Sequence, residues 1–398
     1  MNDQNTQKAS RYLHGLETIS EKTKKTPIIL FFGRHHFSDN SKYLFLNMSA
    51  RQDVLAIWCS SNTELCTRLA DEGLHVLNMN GDVGQILSVF MQAAVAVHCI
   101  NTFESVENPL MRAALKGAIH IQLWHGVSIK PLDMIKANAD NLVDTTWIEQ
   151  TLGAISIDVI LSPSERLDNF WQAAFGVQYV IRAGLPRNEV LLRNATKAER
   201  INTADTLLSD AENYILWAPT FTSAGMTPLW SRPELINQLT TTARDNGCQL
   251  VIKPHPYDTI NFQSRDTDNH EGVIFLSPDI DIYPDLHRFS CLITDCSSLM
   301  FDYLHLDRPI LILEHSNKGN DTPLAWFDHL PLPAVIGPDA NATVLLETCL
   351  KDDQQTHNRK KCLQALFSTD TLTSCEMIAK ILWDLVEKQT DKKMTILQ

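Results

Sequence analysis

IHIQLWHGVSIK, residues 119–130, opens as an apolar strand and ends in a polar turn. The same unit recurs in NYILWAPTF (213–221), QLVIKPHP (249–256) and CLITDCSS (291–298). From about residue 26 onward, short β-branched and aromatic runs like these alternate with helix-length amphipathic stretches. That alternation is the pattern of parallel sheets covered by helices, so the chain reads as α/β. Strands are predicted near Pro27–Phe32, Val54–Cys59, His75–Leu77, Ala94–Cys99, Ile119–Trp124 and Val159–Ser162. A second set follows near Tyr214–Ala218, Gln249–Lys253, Cys291–Thr294 and Ile310–Leu313. Helices fill the gaps, among them Ser61–Glu72, Val83–Ala93, Glu234–Asp245 and Leu299–Leu306. The pattern breaks at Gly184-Leu185-Pro186-Arg187, where polar residues run on to about Glu212; a glycine and a proline together punctuate a chain. Two Rossmann-like lobes are therefore expected, residues 1–185 and 186–398, their parallel sheets facing across a cleft. A last amphipathic helix, Cys375–Lys388, is free to pack back across the first lobe.

Length and composition agree. A chain of 398 residues is long for one core and comfortable for two, and 44% hydrophobic with 20% charged residues is a globular composition. The net charge of −13 argues against a nucleic-acid partner, which needs clustered Lys and Arg to neutralise phosphates. It is equally unhelpful at an anionic membrane, so peripheral membrane contact would rest on a local patch; Lys8 to Lys25 is the nearest basic segment. Apolar runs such as Met91–Ile100 are far shorter than a bilayer span, and the first residues lack the pattern of a secretory signal. A cytoplasmic location, peripheral to the inner face of the membrane at most, is the expectation. Nine cysteines are scattered without metal-ligand spacing, so neither a disulfide framework nor a zinc site is expected.

Open α/β sheets bind ligands beyond the carboxyl ends of their strands, and each quoted unit places polar residues there. His125, followed by Gly126 so that the backbone can turn sharply, puts an imidazole where it could take a proton from a hydroxyl. A His-Gly pair alone is also an ordinary turn. Thr220 offers a hydroxyl to a phosphate or a base, although proline and small polar residues after a strand are common in loops. In Lys253-Pro254-His255-Pro256, two prolines fix the histidine backbone and the lysine adds a positive charge. Asp295-Cys296-Ser297-Ser298 leads into the apolar helix LMFDYLHL. Serines there cap the helix, and its free N–H groups attract phosphate.

With these motifs in hand, the sequence resembles a known family. WHGVSIK, APTF, KPHP and TDCSSLMFDY, together with FFGRHHFSDNSKYLF (31–45) and GLPRNEVL (184–191), stand in the order found in the CDP-glycerol glycerophosphotransferases of teichoic acid and capsule synthesis. One motif is common, but six in order are specific. The resemblance implies a GT-B fold, a CDP-glycerol or CDP-ribitol donor, and a glycan or lipid-linked glycan acceptor. It implies His125 as general base and His255 as a second catalytic residue with Lys253 at the donor phosphates. Thr220, Asp295, Ser297, Ser298, Asp302 and Arg187 would complete the donor side, and Gly33, Asn40, Lys42 and Gly126 the acceptor side. The arginine that usually follows the APT-aromatic element is Thr222 here, which leaves Arg187 or Arg232 to substitute. No acidic metal-binding cluster stands out; no cofactor is required, and magnesium on the donor diphosphate is left open. The expected reaction is transfer of glycerol phosphate with release of CMP. Ribitol-phosphate transfer, an ordinary nucleotide-sugar glycosyltransferase and a non-catalytic scaffold are the alternatives.

Overall fold

The computed structural model describes residues 3–34, 36–127, 157–177, 179–205, 207–209, 213–219, 232–255, 271–295, 297–314 and 329–391. The chain divides into two compact units. One is Met1–His125 with Leu132–Glu189 and Ser368–Gln398; the other is Gly126–Pro131 with Val190–Phe367.

The first unit is built on β1 (Thr26–Phe32), β2 (Leu55–Ser60), β3 (Val76–Asn78), β4 (Ala93–His98), β5 (Ile119–Gln122), β6 (Val159–Ser162) and β7 (Tyr179–Arg182). Their order is β3-β2-β1-β4-β5-β6-β7, and every pairing is parallel. The second carries β8 (Asn213–Ala218), β9 (Cys248–Ile252), β10 (Val273–Phe275), β11 (Phe289–Thr294), β12 (Ile310–Glu314) and β13 (Val335–Pro338). Here the order is β10-β9-β8-β11-β12-β13, again wholly parallel. Both sheets start with an interior strand, add two neighbours on one side and then cross to the other, the doubly wound Rossmann order. Chain direction along the sheet reverses between β1 and β4 in one unit and between β8 and β11 in the other. The loops leaving those strands part at that point, and a crevice for ligand opens there.

Burial explains why these segments are strands. All six residues of β4 are buried, as a strand with helices on both faces requires. Helices begin where short polar side chains accept the first free N–H groups: Asn62 from Leu65, and Asp82 from Gln85. The helix Ser374–Asp391 buries Cys375, Ile378, Ala379, Leu382 and Val386, one stripe at helical spacing, against β1, β4 and the helix Asp39–Ser49. Its start is held by the Glu189 carboxylate, which accepts the Cys375 N–H at 2.5 Å. The eight cysteines among the described residues are free thiols. No helix among those residues is long and apolar enough to cross a membrane.

One polar pair lies inside the first core. His120 Nε2 donates to the Leu115 carbonyl at 3.1 Å, so its Nδ1 carries the lone pair that accepts from His98 Nε2 at 3.2 Å. Burial holds His120 down to about 4 and His98 well below the usual histidine range. As pH falls through 6.5 the unfolded chain therefore takes up protons that the folded pair refuses. The stability tied to this pair is complete above 6.5 and drains as pH falls below it, the His120 share being lost by about 4 and the His98 share continuing to fall. Asp285, raised to about 6 by burial, works in the opposite sense, so the informative quantity is a difference. Urea unfolding at pH 7 and pH 5 should show a fall in midpoint that is visibly smaller in His120→Gln; equal falls would count against the pair.

Candidate active site

Three loops converge at the crevice of the first sheet. Past β1, Gly33 lies against the indole of Trp58: a Cβ there would stand 2.6 Å from the ring, so the glycine is demanded by packing. The helix Asp39–Ser49 then starts with Asp39 at φ 69°, a left-handed conformation that Asp tolerates better than most residues. Past β5, Trp124 has φ 54° and Gly126 φ 119°, so His125 sits between two residues of left-handed backbone. For Trp124 that conformation costs about 1–2 kcal/mol. Its peptide is held on both sides. The N–H donates to Gln122 Oε1 at 2.9 Å and the carbonyl accepts from Asn40 Nδ2 at 2.8 Å.

The half-buried His125 ring lies 4.1 Å, centroid to centroid, from the Trp124 indole. Its Nδ1 is 3.2 Å from the Cys99 carbonyl, past β4. A carbonyl only accepts, so Nδ1 carries the proton and the lone pair is on Nε2, the tautomer of a general base. Cys99 itself is an inert thiol, pushed up to about 12 by burial.

Arg187 was expected at the donor phosphates. The structure shows it in this first-unit network, 5% exposed, with Nη1 donating to Asp39 Oδ1 at 2.7 Å and Nη2 to the His125 carbonyl at 3.0 Å. Burial raises the Asp39 carboxyl above its usual range, while Arg187 and Arg34 oppose the shift. Lys42, expected on the acceptor side, is fully buried, its Nζ 5.3 Å from the ring centroids of both Phe37 and Tyr43. Asn40, His125 and Arg187 are thus brought together, whereas Lys42 is turned into the core. Asp39, Gln122 and Trp124 escaped the sequence reading. A carboxylate in a run of polar residues carries no local sign that its helix will begin in left-handed backbone.

In the second unit the candidates also follow strand ends at the crevice. Lys253, just past β9, donates its backbone N–H to Trp217 O at 3.0 Å, and its Nζ reaches the Pro278 carbonyl at 3.1 Å. His255 is half-buried two residues on. Across the crevice, Thr294 Oγ1 at the end of β11 donates to Ala218 O at the end of β8 at 2.7 Å, tying together the two strands that flank the opening. Asp295 follows, buried, and then Ser297 and Ser298, both half-buried. Ser297 Oγ accepts the Leu299 N–H at 3.3 Å, while Ser298, at the cap position, makes no side-chain cap. The helix that follows, Leu299–Tyr303, runs five residues before tightening into a 3₁₀ turn. Any pull on an anion here rests on individual N–H groups and not on the dipole of a long helix. Asp302 is fully buried and accepts from the Tyr283 hydroxyl at 2.6 Å, which makes it a brace within the unit. Arg232, the other substitute for the missing arginine, is paired with Asp339 beside a cavity of about 460 Å³. Thr220 and Thr222 lie outside the described residues. Among the described residues no group of three His, Cys, Asp or Glu could hold a metal ion.

The chain is 24% identical over 351 residues to the teichoic acid poly(glycerol phosphate) polymerase of Staphylococcus epidermidis, which covers 82% of this chain and 46% of that protein. It therefore spans about half the length of that relative. The teichoic acid glycerol-phosphate transferase of Staphylococcus aureus is 23% identical over 367 residues, 87% of this chain and 89% of that one. In fold, the chain is similar to the wall teichoic acid polymerase TagF, with a TM-score of 0.72 at 20% identity and 96% of each chain covered. The family model described as CDP-Glycerol:Poly(glycerophosphate) glycerophosphotransferase matches residues 16–383, and the chain belongs to that family.

Proposed function

We propose that this protein transfers glycerol phosphate from CDP-glycerol to a hydroxyl of a teichoic-acid-like polymer or its lipid-linked precursor, releasing CMP. The observation that carries the reading is His125, whose Nδ1 is committed to the Cys99 carbonyl so that Nε2 is the basic nitrogen. The reaction assigned is one in-line displacement. Nε2 takes the proton of the acceptor hydroxyl, and the oxygen forms a bond to the phosphorus that bears glycerol. The bond from that phosphorus to the bridging oxygen breaks, and CMP leaves with the electron pair. In the second unit Lys253, His255 and the N–H groups at Ser297 and Ser298 are assigned to the negative charge of the diphosphate. No step is assigned to a resident metal ion, and magnesium on the donor diphosphate is left open. The reaction is placed on the cytoplasmic side, with a lipid-linked acceptor reached peripherally.

Family membership supports the reaction class, and the Rossmann order of the second sheet supports a nucleotide donor at its β8/β11 crevice. Lys253 is the sharpest test of the donor side. Lys253→Ala should weaken CDP-glycerol binding, measured by calorimetric titration, and lower turnover as well, because the charge is used before and during transfer. Unchanged donor affinity in a folded variant would remove Lys253 from the donor site.

A further inference from the structure

Asp39 and Arg187 take no part in the proton transfer or in the donor site described above, yet both are nearly inaccessible beside His125, with side chains 8% and 6% exposed. Their contacts point to what they do. Arg187 bridges three groups: Nη1 to Asp39 Oδ1 at 2.7 Å, Nη2 to the His125 carbonyl at 3.0 Å, and its backbone N–H to Asn40 Oδ1 at 3.2 Å. Asn40, with no exposed surface, passes the link on from Nδ2 to the Trp124 carbonyl at 2.8 Å. Two successive carbonyls, one on either side of the His125 Cα, are therefore gripped from the same cluster. Trp124, at φ 54°, is in a strained conformation that would relax to ordinary backbone if these carbonyls were released. Such a relaxation would carry the imidazole away from the Cys99 carbonyl that selects its tautomer.

We propose that Asp39, Asn40 and Arg187 form a clamp of positioning residues that holds His125 in its direction and tautomer. The role of Arg187 is then geometric. Asp39 neutralises its charge, and the guanidinium serves as a rigid fork that meets a carboxylate with one nitrogen and a carbonyl with another, a pattern an ammonium cannot copy. Asp39 orients the fork. Asn40 closes the clamp from the neighbouring turn.

This inference rests on the reading of His125 as the acceptor base, and its test is built to fail separately from that reading. Arg187→Lys keeps the charge and loses the fork; Asn40→Asp loses the donor to the Trp124 carbonyl. Three quantities are followed in each: CMP release, CDP-glycerol affinity by calorimetry, and the ¹⁵N spectrum of the histidine rings, with the His125 signals identified by their loss in His125→Gln. Both variants should lower turnover by roughly 10- to 100-fold, the cost of displacing a positioned group by about 1 Å. Donor affinity should stay within about twofold. The His125 ring signals should move from a single Nδ1–H tautomer toward an average of the two tautomers. A tenfold or larger loss of donor affinity in Arg187→Lys would make Arg187 a donor ligand and overturn the clamp. Unchanged turnover and unchanged ring signals in either folded variant would also overturn it. Absence of CMP release from the unaltered protein would sink the proposed function, while the ring spectra would still decide the clamp.

Discussion

His125→Ala is expected to lower turnover by roughly 10² to 10⁴ while leaving CDP-glycerol affinity within about twofold, the range a positioned general base contributes. The two parts of that result have separate causes. Turnover falls because the nitrogen assigned to take the acceptor proton is removed: Nδ1 is bound to the Cys99 carbonyl, which leaves the lone pair on Nε2. Affinity holds because the donor side is assigned to Lys253 and His255, past β9 in the other unit, and alanine removes no charge from it. Little damage to the fold is expected. The ring is half-buried, and the backbone around it is fixed by Gln122, Asn40 and Arg187 through main-chain groups that the substitution leaves in place. CMP release beside calorimetry measures both quantities. Loss of donor binding in a folded His125→Ala protein would assign the imidazole to the donor and end its role as base.

The second large effect is on stability, at Arg359. This side chain is 1% exposed and forks onto Asp353, Nη1 to Oδ1 at 2.9 Å and Nη2 to Oδ2 at 2.6 Å, while Nε donates to Asp307 Oδ1 at 2.9 Å. Asp307 stands at φ 47°, and the pair ties the helix Thr356–Leu366 to the turn before β12. Arg359→Met keeps much of the volume and leaves two carboxylates facing an apolar side chain. Breaking a buried pair from one side costs about 3–5 kcal/mol, and the lower end applies because both carboxylates keep some water. The midpoint of urea unfolding should fall by a corresponding amount, with Arg359→Lys recovering less than half because a single ammonium cannot meet both acids. A change below about 1 kcal/mol would place the network among ordinary surface pairs.

What the sequence disclosed follows burial. The strands it missed are β7, β10 and β13, and each lies at the edge of its sheet. An edge strand is covered on fewer sides and has less need of apolar residues. Tyr179 in β7 is exposed, β10 is only half-buried throughout, and Gly337 and Pro338 fall within β13. The central strands, buried on both faces, were plain in their composition. The polar residues at strand ends were equally legible, because nothing else in a buried parallel strand accounts for them. Their roles were less so. Arg187 read as a donor ligand because it could substitute for the arginine replaced by Thr222, and its 2.7 Å contact with Asp39, far away in sequence, is one that no local pattern announces. Lys42 was placed on the acceptor side through the family resemblance alone, and sequence spacing near a helix start does not reveal which face will be covered. Asp302 sits in the motif TDCSSLMFDY, and its partner Tyr283 comes from a segment 19 residues earlier that no local pattern links to it.

One incubation bears most directly on the reaction: the protein with CDP-glycerol and a glycerol-phosphate-primed glycan, with CMP counted by chromatography and the acceptor weighed by mass spectrometry. One CMP released for each glycerol phosphate gained by the acceptor is the predicted result. CMP without growth of the acceptor would mean hydrolysis, and an inert CDP-glycerol beside a nucleotide sugar that is consumed would mean sugar transfer; either would contradict glycerophosphate transfer by this protein.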